Sequence, residues 1–172
     1  MKNMVRSSAR GKACTAAAIA FVTLSIASPA KAETVRWRTI VGIIQAGNPV
    51  GNITGGGQPW TTTGGRARVD LAKGQLDFDV QGLVLAGGPT IGTPGAVNQV
   101  KGTLVCGGAT PVVLDTPLVT LSPQGDADFS GSIGLVPTTC NATNVVFLVR
   151  IAADRWIANG AVRSTQGTQN TQ

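Results

Sequence analysis

The chain of 172 residues carries 14 Lys and Arg against eight Asp and Glu, with no His and no Tyr. Lacking histidine, it lacks the usual general base of serine and cysteine hydrolases and the commonest zinc ligand. The formal charge of +6 suggests an anionic partner only until its distribution is read: five of the 14 basic residues and none of the acidic ones fall within 1–32. The rest of the chain is close to neutral and gives no ground for nucleic-acid or anionic-membrane binding.

Residues 1–32 have the layout of a secretory signal peptide. Lys2, Arg6, Arg10 and Lys12 form a basic start, Ala13 to Ala27 an apolar middle, and Ala30-Lys31-Ala32 an A-x-A cleavage site before Glu33. Cleavage after Ala32 and export to the periplasm or the cell exterior are therefore expected. The apolar run is too short for a comfortable membrane span and no later segment approaches the required length, so no transmembrane segment is expected. Cys14 stands at the start of the apolar run, not after it, which argues against a lipoprotein. The 140 residues that remain (172 less 32) suit one domain, 33–162.

Two cysteines survive cleavage, Cys106 and Cys140. In an oxidising compartment such a pair is expected to be bridged, and its wide spacing lacks the C-x-x-C pattern of redox or metal chemistry. Val35 to Ile44 opens the domain as a strand with Val35, Trp37, Thr39, Val41 and Ile43 on one face and Arg36 and Arg38 on the other, until Ile40 and Ile44 blur the alternation and predict burial on both faces. Ala46 to Gly65 is a long Gly- and Pro-punctuated loop containing Gln58, Pro59, Trp60 and the run Thr61-Thr62-Thr63. A loop of this length in a small domain is functional or mobile, which makes it the first expected contact surface.

Gly65 to Leu83 alternates apolar and polar residues through two arms and predicts a β-hairpin turning at Ala72-Lys73-Gly74. Ala67, Val69 and Leu71 face the same way as Leu76, Phe78 and Val80; on the other face Arg66, Arg68 and Asp70 stand across from Gln75, Asp77 and Asp79. Val97 to Cys106 predicts a strand with Val100, Gly102, Leu104 and Cys106 on one face. Val112 to Leu121 contains Pro117 and predicts an edge strand or two short ones with a kink. Asp126 to Leu135 alternates again and is expected to form a hairpin with Val119 to Leu121. Val145 to Ile151 predicts a central strand, and Trp156 to Val162 the last one. Arg163 to Gln172 has no apolar anchor and is expected to be disordered. The result is an all-β class, an antiparallel β-sandwich or, alternatively, a small β-barrel, of about eight or nine short strands.

The pattern G-x-A-x-V-x-L-x-x-G-x-L-x-F-x-V-x-G-L, from Gly65 to Leu83, resembles the opening strands of CHRD domains, and Asp126 to Ile133 resembles a later strand pair of that family. The resemblance implies an exported all-β domain. Many members carry histidines shortly after the Gly-Leu step; this chain has Val84 to Gly88 there, so no histidine-based role transfers.

Candidate chemistry is sparse. Trp60 in its Gly-rich loop, with Gln58 and Thr61, is the candidate contact for a glycan or a surface protein, the competing reading being a tryptophan folded down as a plug. Trp37 and Trp156 are expected in the core. Asp77 and Asp79 lie about 7 Å apart along one strand face, a separation that glycosidase carboxylates can use, although alternation alone explains them. Asp126-Ala127-Asp128-Phe129-Ser130-Gly131 begins like an EF-hand loop but reaches Pro137 where a bidentate Glu is required. No cofactor or metal is expected. These residues point to a non-enzymatic exported binding, adhesion or envelope-associated module, the alternative being a secreted carboxylate-dependent hydrolase acting on polysaccharide through Asp77, Asp79, Asp126 or Asp128.

Overall fold

The computed structural model describes residues 33–107 and 110–167; the expected leader lies outside the described residues. Among them there are eleven strands and no helix, hence none long and apolar enough to cross a membrane. The strands are β1 (Glu33–Gly42), β2 (Trp60–Thr61), β3 (Gly64–Asp70), β4 (Gln75–Gln81), β5 (Val84–Leu85), β6 (Gln99–Cys106), β7 (Val112–Asp115), β8 (Val119–Thr120), β9 (Ala127–Ser132), β10 (Val145–Ile151) and β11 (Trp156–Gly167). Eight join side by side in the order β7-β6-β10-β11-β1-β3-β4-β9; β8 adds to β6, and β2 pairs β5 in a separate ribbon. Every ladder is antiparallel. Of the two expected architectures the molecule takes the barrel side, as one sheet curled into a half-barrel.

The hairpin β3–β4 forms as its alternation predicts. Ala67 pairs Phe78 and Val69 pairs Leu76 on the inner face, while Arg66 stands opposite Asp79 and Arg68 opposite Asp77 on the outer one. Its turn is tied by Asp70, whose Oδ1 accepts from the amides of Ala72 and Lys73 at 3.1 Å each. Gly74 closes it at φ 62°, a conformation that side-chain-bearing residues avoid.

The curl is visible where β4 meets β6 across the interior. A Cβ placed on Gly102 would lie 2.7 Å from the Phe78 ring, and that ring is held 5.6 Å from Phe147 and 6.2 Å from Phe129. The glycine thus marks the closest approach of opposite walls. β10 runs between β6 and β11, and Leu148 and Arg150 are buried on one face as Phe147 and Val149 are on the other, which accounts for its unbroken apolar run. Cys106, at the end of β6, forms a disulfide with Cys140 with Cα atoms 5.3 Å apart.

Four expectations are corrected. Alternation on β1 does not continue from Trp37 through Thr39 and Val41: Ile40 is the next buried residue, and Val41 is exposed. The slip falls at Arg38–Thr39, beside Val162 of β11, which takes φ 51°. Second, β8 and β9 do not pair as a hairpin; β8 adds to β6 and β9 to β4, because the two-residue β8 after Pro117 offers a shorter ladder than the edge of β4. Third, order extends past Val162: Arg163 to Gly167 continue β11 and pair with Trp37 to Glu33. Pairing needs only backbone donors and acceptors, so a polar segment is ordered by the edge of β1 without an apolar anchor. Residues 168–172 of the expected tail lie outside the described residues.

The fourth concerns the long loop. Ala46 to Gly65 contains β2 and is fastened to the domain through its backbone: Gly56 N donates to Trp156 O at 2.8 Å, Trp156 N to Thr54 O at 3.2 Å, and Trp60 N to Ile43 O at 2.7 Å. The Trp156 indole donates to Asn48 O at 2.8 Å. This segment covers one end of the core.

Candidate functional site

Trp60 is the residue that covers it. Its relative exposure is 5%, within the core that also holds Trp37 and Trp156, so the plug reading holds and the contact reading does not. Alternation along β2 turns Thr61 outward, and Gln58 is also exposed. The three residues therefore do not present a joint surface.

A recess lies elsewhere, a groove of about 740 Å³ across the outer face of β1, β3, β4 and β9. Strand pairing builds it. Arg36 is paired with Arg68, Arg68 with Asp77 and Asp77 with Ser130, one residue from each of four adjacent strands. Next to that row, Arg66 is paired with Asp79 and Asp79 with Asp128, and Arg38 lines the same groove. Neighbouring strands lie about 5 Å apart and alternate residues of one strand about 7 Å apart, which sets the spacing of the charges. The groove is thus cationic over β1 and β3 and anionic over β4 and β9.

The two halves differ in how they are satisfied. Asp77 accepts from Ser130 Oγ, and Asp79 Oδ1 accepts from Gln81 Nε2 at 3.3 Å. Among the described residues, Arg36, Arg38, Arg66 and Arg68 have no carboxylate within ion-pair distance and donate no side-chain hydrogen bond. Arg36 Nε is buried and has no hydrogen-bond partner among the described residues, a costly state for a cationic group.

Arginines at the other end of the molecule are satisfied internally. In a second recess, of about 560 Å³, Lys101 Nζ meets Asp115 Oδ2 at 2.8 Å and Asp154 Oδ1 at 2.7 Å. The buried Arg150 reaches the same two carboxylates at 3.0 Å each. The hydrogen bond from Lys101, then the charges of Lys101 and Arg150, hold Asp154 below its ordinary 3.8. For Lys101, burial pulls downward, but hydrogen bonds to Asp115 and Asp154 outweigh it and hold the amine above 10.5. A carboxylate lowered on folding stabilises the fold above its unfolded pKa, and that contribution fades as pH falls through the folded value; a raised amine acts in the opposite sense at alkaline pH. The expected result is that Asp154→Asn lowers Tm at about pH 7 and that the two melting curves converge towards about pH 2. A gap that stays constant over this range would disprove the linkage. Asparagine is the substitution of choice because Asp154 sits at φ 63°, which Asn tolerates.

The remaining candidates divide between these places. Asp77, Asp79 and Asp128 line the groove. Asp126 instead accepts from Gly82 N at 2.9 Å, and its own amide donates to Ser122 Oγ at 3.0 Å, so it clamps a turn. No group of three or more potential metal ligands occurs among the described residues. The arginine square escapes a reading of single segments, although Arg36 and Arg38, and Arg66 and Arg68, each show as an alternating polar face; what joins them is the β1–β3 ladder, formed across the long loop. Comparison with family models, with curated proteins and with solved structures finds no match to this chain.

Proposed function

We propose that the protein is an exported, non-enzymatic binding module, released to the periplasm or cell exterior by cleavage after Ala32, with the outer groove of β1, β3, β4 and β9 as its contact surface. The observation that carries the reading is the set of four guanidinium groups that find no protein acceptor among the described residues, beside three carboxylates in one groove. Groups so placed are available to a ligand that supplies what the fold withholds. Export is supported by the leader pattern and by a disulfide of the kind that persists in oxidising compartments. The resemblance of the β3–β4 hairpin to CHRD domains contributes the same expectation of an exported all-β domain. A glycan or a surface protein is the proposed class of partner.

A second reading, polysaccharide hydrolysis, draws on Asp79 and Asp128 standing directly opposite each other in the same groove. One experiment separates the two. The chain is expressed with its leader, its exported form is weighed by mass spectrometry, and its retention on immobilised polysaccharides and cell-envelope fractions is compared with that of Arg66→Glu/Arg68→Glu. Binding predicts a mass starting at Glu33 and retention lost in the double variant. Retention indifferent to the charge reversal would sink the groove as contact surface, and release of reducing ends that Asp79→Asn abolishes would establish the hydrolase.

A further inference from the structure

We infer that the ligand of this groove is an acidic glycan, one whose repeating sugars carry carboxylates beside free hydroxyls; the inference rests on the binding-module reading. Its first ground is geometric. Arg36 and Arg68 are cross-strand neighbours, and Arg38 and Arg66 line the groove next to them, so cationic forks repeat at about 5 Å in one direction and about 7 Å in the other. Spacings of this size suit anionic groups recurring along a chain better than one isolated anion. Guanidinium groups bind carboxylates through paired, parallel hydrogen bonds.

The second ground is the neighbouring half of the groove. Asp77, Asp79 and Asp128 present acceptors within one or two strands of the arginines. A polymer that is anionic throughout would meet repulsion there. Sugar hydroxyls donate hydrogen bonds to carboxylates, so a chain that alternates carboxylates with hydroxyls is complementary to both halves at once. Neutral glycans donate to the aspartates but offer the arginines only uncharged oxygen acceptors, without the charge-assisted fork; polyphosphate pairs the arginines and repels the aspartates.

The test uses the exported full chain and three soluble polymers followed by titration calorimetry: polygalacturonate, its fully methyl-esterified form, and inorganic polyphosphate. Polygalacturonate is expected to bind, and Arg36→Gln/Arg68→Gln to weaken it about tenfold or more. Arg68→Lys, which keeps the charge but not the fork, is expected to fall between, and Lys73→Gln, outside the groove, to match the parent. Raising salt should weaken binding. Circular dichroism and Tm of each variant separate lost binding from lost folding. Equal affinity for the methyl ester, still sensitive to the groove substitutions, would overturn the acidic class while keeping the groove as a binding site. Tighter binding of polyphosphate would overturn the role given to the aspartates and with it the glycan. Absence of binding to all three polymers overturns the inference, and the binding-module reading falls with it only if the envelope fractions also fail to retain the protein.

Discussion

Replacing Trp60 with alanine is expected to remove about 3–5 kcal/mol of stability while leaving groove binding per folded molecule unchanged. The indole is 5% exposed at the covered end of the core. The backbone around it has no slack: Trp60 N donates to Ile43 O at 2.7 Å, and Gly42 packs so closely on the Trp60 carbonyl that a side chain there has no room. A rigid rim cannot collapse into the vacated volume, so the cavity contribution adds to the lost burial. Urea denaturation measures it. A loss below about 1 kcal/mol, as for a surface residue, would mean that the indole is not a plug.

The second large effect is expected from Cys106→Ala/Cys140→Ala, a destabilisation of about 3–4 kcal/mol, the entropy of closing a loop with this sequence separation of 34. Against typical total stabilities of about 5–15 kcal/mol that is a large share. The segment leading to Cys140 contributes little else to hold it: Leu135 is fully solvated, and Pro137, Thr138 and Thr139 are exposed. Equilibrium unfolding of the double variant should coincide with that of the reduced parent. A variant as stable as the oxidised parent would show that the bridge adds nothing to the fold.

How far the sequence carries the architecture depends on which interactions are local. The β3–β4 hairpin and its two faces are legible because its turn, its alternation and its Arg–Asp facing all lie within one short stretch, whereas its register is set only by the ladder itself. Central β10 is legible from its apolar run, and Pro117 marks the break between β7 and β8. The slip on β1 shows only as the blur that Ile40 puts into the alternation; its place opposite Val162, in a backbone conformation that β-branched residues avoid, cannot be read. The end of β11 escapes a reading that requires apolar content for order, because the edge of β1 orders it through backbone pairing. The site is half legible. The charges on each strand can be read, but their assembly into a groove depends on a ladder between β1 and β3, and the burial of Trp60 depends on loop contacts with β11. Both are non-local.

The register of β1 against β11 also governs the life of the chain before it is folded. Glu33 pairs with Gly167, so the strand that opens the domain finds one of its two neighbours only at the far end of the sequence. A nascent chain cannot complete this sheet while its last strand is still being synthesised, and pairings of such long span form slowly. Until then the polypeptide remains open, and the sheet is completed only when β11 reaches the free edge of β1.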